Sequence, residues 1–159
     1  MNLSNAPATI NKATVSLSGI SKTYDGTTSK GDTTLSISGV NGETLSLGDA
    51  TYSSKDVASN GSNFLAALTL ADNGSYLASN YQLPALNLSS APATINKATV
   101  SLSGISKTYD GTTSKGNTTL SISGVNGETL SLGDATYSDA NVATAGIWRA
   151  TTRFLERSM

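Results

Sequence analysis

Short runs in which apolar and polar residues alternate recur along this chain. In residues 12–19, Val15 and Leu17 alternate with serines, which is the period of a half-buried β-strand. Similar runs predict strands at 33–39, 43–48 and 64–70, around Tyr81, and at 86–88. The stretch between the first two, residues 20–31, is dense in turn formers around Asp25-Gly26. About six or seven short strands in a unit of this size predict an all-β protein of immunoglobulin-like β-sandwich architecture.

One predicted turn, Val40-Asn41-Gly42, fixes the register of the strands on either side of it. A two-residue Asn-Gly turn would send the two apolar rows to opposite faces of the sheet. A three-residue loop with Gly42 left-handed keeps both rows on one face, so we predict that loop here and at 125–127. The pairs that this register forms are Ile37 with Leu45 and Leu35 with Leu47.

The chain repeats itself at an offset of 85 residues. Residues 6–53 recur as residues 91–138, and only Asp32 differs, being replaced by Asn117. Solenoid coils repeat every 20 to 50 residues or so and cannot bury a core alone, whereas a unit of this length is large enough to be a small domain. The repeat therefore predicts tandem immunoglobulin-like β-sandwich domains.

The repeat also predicts domain boundaries. Residues 1–11 are expected to be the end of a preceding repeat or a linker strand, 12–96 a complete repeat, and 97–146 a truncated second repeat. The second lacks counterparts of residues 62–85, including Asn80-Tyr81, so it should be marginal or need a partner. The phrase SSAPATINKATV at 89–100 is predicted to be a short, stiff junction. Residues 147–159 follow no repeat and hold every Arg and the one Trp.

Composition narrows the function classes. The net charge of -1 supplies no field to attract nucleic acid or an anionic membrane, and no apolar run is long enough to cross a bilayer. His and Cys are both absent, which removes the usual general base, the commonest metal ligands and any disulfide. Ser and Thr supply 47 of the 159 residues, so no single nucleophile stands out. We expect no enzyme activity, no cofactor and no metal.

A family resemblance rests on the segment KTYDGTT at 22–28, repeated at 107–113. With ATINKATVSLSG before it, GDATYS after it and Asn80-Tyr81-Gln82-Leu83 near the end of the unit, it resembles the YDG repeat domain of filamentous-haemagglutinin-type bacterial adhesins. The ordered set covers most of residues 6–146. The resemblance implies β-rich modules of long bacterial proteins that are displayed on the cell surface or secreted, with no cofactor and no reaction.

The motif residues of this resemblance are Tyr24, Asp25 and Gly26, their copies Tyr109, Asp110 and Gly111, and the pair Asn80 and Tyr81. A Tyr before Asp-Gly is expected to pack its ring on the core, although a ligand contact is the alternative. Asp-Gly suits a turn, and calcium is the less favoured alternative because nearby carboxylates are sparse.

Three further alternatives stay open from the sequence. Lys12, Lys22 or Lys30 is a candidate for an isopeptide crosslink to an Asn or Asp side chain, which needs a buried Lys, an amide and an adjacent acid, and Glu43 is the only Glu in the unit. The glycosylation motifs at Asn60, Asn73 and Asn117 fit chance in so Ser-rich a chain. In the tail, Arg149, Arg153 and Arg157 have the spacing of a weak membrane-surface helix.

Near-identical tandem units without a chemical cluster favour a structural role. We expect a stalk or spacer whose partners are the neighbouring repeats of its parent protein. The alternative is a binding module for a host glycan or protein, in which weak copies gain strength through multivalency. Self-association is a third expectation, because an incomplete sandwich leaves open strand edges.

Overall fold

A computed structural model describes residues 7–142 of the chain. Its regular elements are β-strands and single turns of 3-10 helix, so the all-β prediction is confirmed. The chain divides between Lys97 and Ala98 into two compact units. The predicted boundaries at 1–11, 12–96 and 97–146 stay predictions, and the tail at 147–159 lies outside the described residues.

The first unit contains seven strands among its described residues. They are β1 (Ala13–Thr14), β2 (Ser16–Thr23), β3 (Thr34–Ser38), β4 (Ser46–Tyr52), β5 (Leu65–Ala71), β6 (Tyr81–Gln82) and β7 (Thr94–Asn96). The central strand β2 pairs antiparallel with β3 on one side and parallel with β7 on the other. Strands β4 and β5 form an antiparallel pair, and β1 and β6 a short parallel one. These small sheets are consistent with a β-sandwich.

Two apolar clusters form the core of the first unit. The first cluster comprises Ile20, Ala50, Tyr52, Leu65, Leu68, Ala91, Ala93 and Ile95. The second cluster comprises Val15, Ile37, Leu45 and Tyr81. Leu17 of β2, Leu35 of β3 and Leu47 of β4 pack against both clusters. The core of the first unit is therefore continuous but thin.

The predicted loop at 40–42 is present, and the hairpin beyond it is shorter than predicted. Gly42 is left-handed with φ 78°, the Leu45 amide donates to the Ile37 carbonyl, and both side chains enter the second cluster. Beyond this point β4 leaves β3 and pairs with β5, so Leu47 lies opposite Leu70 and not opposite Leu35. The same turn recurs at Val125–Gly127.

Two other predicted strands differ from the structure. The first predicted strand continues to Thr23, because Gly19 adopts φ 63° in a bulge and the ladder resumes at Ser21. The predicted strand at 86–88 is wrong. There the Asn87 Oδ1 accepts from the amides of Ser89 and Ser90 and turns the chain.

The predicted junction at 89–100 is also wrong, because it contains β7 and part of the core. The Leu65 amide donates to the Ala91 carbonyl (3.0 Å) and the Ala93 amide to the Asn63 carbonyl (2.9 Å). Residues 94–96 then pair with β2. Residues 91–96, which begin the second sequence copy, thus join β5 to β2 and complete the first unit.

In the second unit, β8 (Ser101–Ser106) and β9 (Thr119–Ser123) are the two strands of the described residues. They repeat the register of β2 and β3, with Leu102 opposite Ile122 as Leu17 is opposite Ile37. Ile122 remains buried, whereas Leu102 is 40% exposed and Leu130, the counterpart of buried Leu45, is 41% exposed. The β2–β3 hairpin therefore forms in both copies, but its apolar face is covered less in the second.

Candidate functional site: the YDG loop

The YDG loop, residues 22–33, is built around a buried lysine. Lys22 belongs to β2 and its side chain is fully buried, with 0% of its surface exposed. Its ammonium donates to Asp25 Oδ1 (2.7 Å), to the Ser29 carbonyl (2.7 Å) and to the Thr27 carbonyl (3.1 Å). A lysine has three N–H donors, so all three are used. The ammonium also lies 5.4 Å from the centre of the Tyr52 ring.

Asp25 fixes the other side of the loop. Its Oδ1 accepts from the backbone amide of Thr27 and from the Thr27 hydroxyl, both at 2.9 Å. This bonding of an Asp side chain to the amide two residues later is an Asx-turn, and Gly26 supplies the φ of 75° that the turn requires. Gly31 passes close to the same carboxylate: a Cβ there would lie 2.5 Å from Asp25 Oδ2. The turn interpretation of Asp25-Gly26 agrees with this geometry.

Tyr24 is half-buried and packs against the first core cluster, as the packing interpretation expects. Its backbone amide donates to the Asn96 carbonyl at 2.8 Å, which extends the pairing of β2 with β7 by one bond. The motif tyrosine is thus held by the segment that belongs to the second sequence copy.

The one position that differs between the long copies keeps its structural role. The Thr23 amide donates to Asp32 Oδ1 at 2.8 Å, and the Thr108 amide donates to Asn117 Oδ1 at 3.1 Å. Asp and Asn both present this acceptor oxygen, so the exchange preserves the hydrogen bond that closes the loop.

The second copy forms the same loop. The Lys107 ammonium lies 2.7 Å from Asp110 Oδ1 and donates to the Ser114 carbonyl at 2.7 Å, while Gly111 has φ 74°. Tyr109, by contrast, is 61% exposed. The loop therefore forms from its own residues, whereas burial of the motif tyrosine depends on β7.

Asn80 and Tyr81 lie away from the YDG loop, at the second cluster. Asn80 is exposed and ends a single helical turn, while Tyr81 is 3% exposed. The Tyr81 hydroxyl donates to Glu43 Oε2 (2.5 Å) and accepts from the Val40 amide (3.1 Å). Tyr81 therefore holds the 40–42 turn in place, and the structure does not bring the two halves of the predicted motif together.

The isopeptide hypothesis finds no matching geometry in the described residues. Lys22 is buried but forms an ion pair with Asp25, Lys12 is exposed, and the Lys30 ammonium donates to the Gly48 carbonyl at 2.9 Å. The acid that such chemistry would use, Glu43, bonds to Tyr81. Within residues 7–142 no three acidic side chains converge on a point where a metal ion would bind.

Sequence reasoning named Lys22 in the KTYDGTT segment and as a crosslinking candidate, but it missed the place of this lysine at the centre of the loop. A signal was present in the alternation of residues. Ile20, Lys22 and Tyr24 are spaced two apart, so in a strand they share one face, and Ile20 on that face is a core residue. The spacing places the lysine on the buried side.

Acid should weaken the loop in both units. Partial burial opposes ionisation of Asp25, but hydrogen bonds from Lys22 and Thr27 outweigh it and lower the pKa of Asp25 from its usual value. The Lys107 bond, with help from Thr112, lowers the pKa of Asp110 to about 2. Carboxyls with depressed folded-state pKa values stabilise the fold fully above their unfolded pKa, and this contribution is lost as the pH falls towards the folded value.

We therefore expect the free energy of unfolding to fall between about pH 4 and pH 2. Urea denaturation at several pH values measures this slope. The double variant Asp25→Asn, Asp110→Asn should be less stable at neutral pH and show a shallower loss in acid. An equal slope in both proteins would contradict the assignment.

Removing the Tyr81 hydroxyl should destabilise the first unit. Tyr81→Phe leaves the Glu43 carboxylate and the Val40 amide without this partner, so we expect a lower thermal midpoint and faster hydrogen exchange at 40–45. Tyr76→Phe is the matched control, because Tyr76 is 40% exposed. Equal midpoints for the two variants would show that the hydroxyl bonds contribute nothing.

Hydrogen bonding to Glu43, together with burial, also raises the pKa of Tyr81. None of the helical turns in residues 7–142 has the length or apolar character to span a bilayer.

No curated protein and no solved structure matches the chain. The model of the YDG domain matches residues 6–88 and again residues 89–151. These two matches cover most of the chain, which therefore belongs to the YDG domain family.

Proposed function

We propose that the chain is a non-catalytic structural segment, a stalk or spacer, of a large bacterial adhesin that is secreted or displayed on the cell surface. The observation that carries the proposal is the way in which one sequence copy completes the fold of the copy before it. Residues 91–96 supply β7 and three buried side chains to the first unit, those of Ala91, Ala93 and Ile95. Because β7 ends at Asn96 and the first unit ends at Lys97, the second unit follows directly along the chain, and directly linked tandem units suit a spacer.

The chemistry of the YDG loop supports the same proposal. Its charged groups bond to each other and to backbone carbonyls: the Lys22 ammonium has three acceptors, and Asp25 accepts from Lys22 and Thr27. A residue pair engaged in this way stabilises the fold and is poorly placed to bind a substrate. Tandem YDG domains also make neighbouring repeats the natural partners. The extracellular location follows from the adhesin proposal and from the resemblance alone.

The proposal is tested by comparing proteins with one, two and four tandem repeats. If the repeats are spacers, small-angle X-ray scattering should give a maximum dimension that grows by a constant increment for each repeat. The same proteins applied to an array of host glycans and matrix proteins should not bind. Specific binding by one repeat, rising steeply with repeat number, would overturn the spacer and favour the multivalent binding module.

A further inference from the structure

One heptapeptide, APATINK, occurs twice in the chain with opposite environments. At 91–97 it provides β7 and places Ile95 in the first core cluster with 1% of its surface exposed. At 6–12 it contains Ile10, which is 98% exposed, and residues 7–12 form no strand. The sequence of the segment is the same, so the difference lies in its surroundings: the first unit accepts residues 94–96 as a strand, and no described strand pairs with residues 7–12.

The second unit presents the edge on which this heptapeptide lies in the first. In the first unit, Ser21, Lys22 and Thr23 pair in parallel with Thr94, Ile95 and Asn96. The second unit has Ser106, Lys107 and Thr108 at the positions of Ser21, Lys22 and Thr23. Among the described residues, no parallel strand pairs with these three. We call residues 106–109 the acceptor edge and residues 7–12 the donor segment.

Exposure in the second unit increases where β7 would lie. Tyr109 is 61% exposed and Ile105 is half-buried, whereas Tyr24 is half-buried and Ile20 is 4% exposed. Ala135, the counterpart of Ala50, remains buried at 6%. The face that Ile95 covers in the first unit also forms in the second unit, and no strand among residues 7–142 covers it at the acceptor edge.

We propose that the donor segment of one copy of this chain adds as a parallel strand to the acceptor edge of a second copy, joining the copies head to tail. The register is that of the first unit, with Thr9, Ile10 and Asn11 beside Ser106, Lys107 and Thr108. The Tyr109 amide then donates to the Asn11 carbonyl, as the Tyr24 amide does to Asn96. Addition of a strand to an open edge supplies main-chain hydrogen bonds, and Ile10 supplies the apolar contact.

The acceptor edge should bind a strand more weakly than β2 binds β7 in the first unit. Leu65 and Leu68 of β5 cover Ile95 in the first unit, and the Asn60 side chain bonds to both backbone groups of Ile95. Position 145, the counterpart of Asn60, is an alanine. We therefore expect association that depends on concentration and is weak, with a dissociation constant of about 10 μM to 1 mM for a short strand.

Because the interface is heterologous and lies at different places on the two copies, it does not close on itself as a two-fold dimer does. A head-to-tail contact produces open chains unless the rotation between copies closes a ring. The expected products are therefore dimers, trimers and longer chains in decreasing amounts.

The chain has no cysteine, so pairs of introduced cysteines test the register directly. A Thr9→Cys protein mixed with a Ser106→Cys protein should form a disulfide-linked heterodimer under mild oxidation, because these positions are register partners. The register control mixes Thr9→Cys with Ser101→Cys, at the far end of β8, and should crosslink much more slowly. The internal control, Ser21→Cys with Thr94→Cys in one chain, should form an intramolecular disulfide, since Ser21 pairs with Thr94.

Sedimentation velocity over a concentration series gives an independent result. The average mass of the wild-type chain should rise with concentration, and that of Ile10→Asp should stay monomeric. Ile10 is 98% exposed, so this substitution leaves the fold of either unit intact. A monomeric wild type up to millimolar concentration, equal association by Ile10→Asp, or equal crosslinking in the two cysteine mixtures would each overturn the proposal.

Discussion

Ile95→Ala should destabilise the first unit by about 3 kcal/mol, within the range for truncating a buried isoleucine. Ile95 is 1% exposed and contacts the first cluster from a strand that the second sequence copy supplies. The loss removes apolar contacts and leaves a cavity between β2 and β5. The strand β5 has no second copy in the sequence, so the free energy of opening from its amide hydrogen exchange reports on the first unit alone.

The control for this prediction is Ile10→Ala, which changes the same residue within the same heptapeptide. Ile10 is 98% exposed, so its truncation should change the free energy by less than about 0.5 kcal/mol. Both variants share the effects of the substitution on β-strand propensity and on the unfolded chain. The difference between their free energies of unfolding therefore measures the contribution of burying Ile95. Equal effects would show that β7 does not belong to the first unit.

Lys22→Met should destabilise the first unit by a similar amount, about 3 kcal/mol. Removal of one partner from a buried ion pair typically costs about 3–5 kcal/mol, and the lower end applies because the Asp25 side chain is 36% exposed and keeps access to water. The methionine fills most of the volume, but the carbonyls of Thr27 and Ser29 lose their donor. Hydrogen exchange at β5 again measures the change.

Two comparisons make the Lys22 prediction specific. Lys12→Met removes an exposed positive charge and should change stability little. The double variant Lys22→Met, Asp25→Asn should lose less stability than the sum of the losses in the two single variants, because each substitution removes the same ion pair. Strict additivity would mean that Lys22 stabilises the loop through its carbonyl bonds alone.

Local alternation of residues was sufficient to predict much of the fold. The pattern around Leu35 and Ile37 predicted β3, FLAALTL predicted β5, and the position of Gly42 predicted the three-residue loop. Each of these depends on interactions within a few residues or on a face that one strand presents to the core. The strand at 86–88 failed because the Asn87 side chain competes with strand pairing for backbone amides.

The role of β7 could not be predicted in this way. Residues 6–12 and 91–97 are identical, so no local property of the sequence distinguishes an exposed segment from a core strand. The two segments differ in their tertiary partners. Only the segment at 91–97 pairs with the edge of β2 and accepts a hydrogen bond from the Leu65 amide. Local sequence does not predict the bonding of Lys22 either, because its ammonium binds carbonyls that come together only when the loop has folded.

The parallel pairing of β2 with β7 also has a mechanical consequence. These two strands lie near opposite ends of the first unit, and they run in the same direction. A pulling force on the two ends of the unit therefore moves them lengthwise in opposite directions. The hydrogen bonds between them are then loaded in shear and have to break together, whereas bonds in an antiparallel hairpin pulled at its open end break one at a time. We therefore expect a unit with this parallel pair to resist unfolding when its two ends are pulled apart.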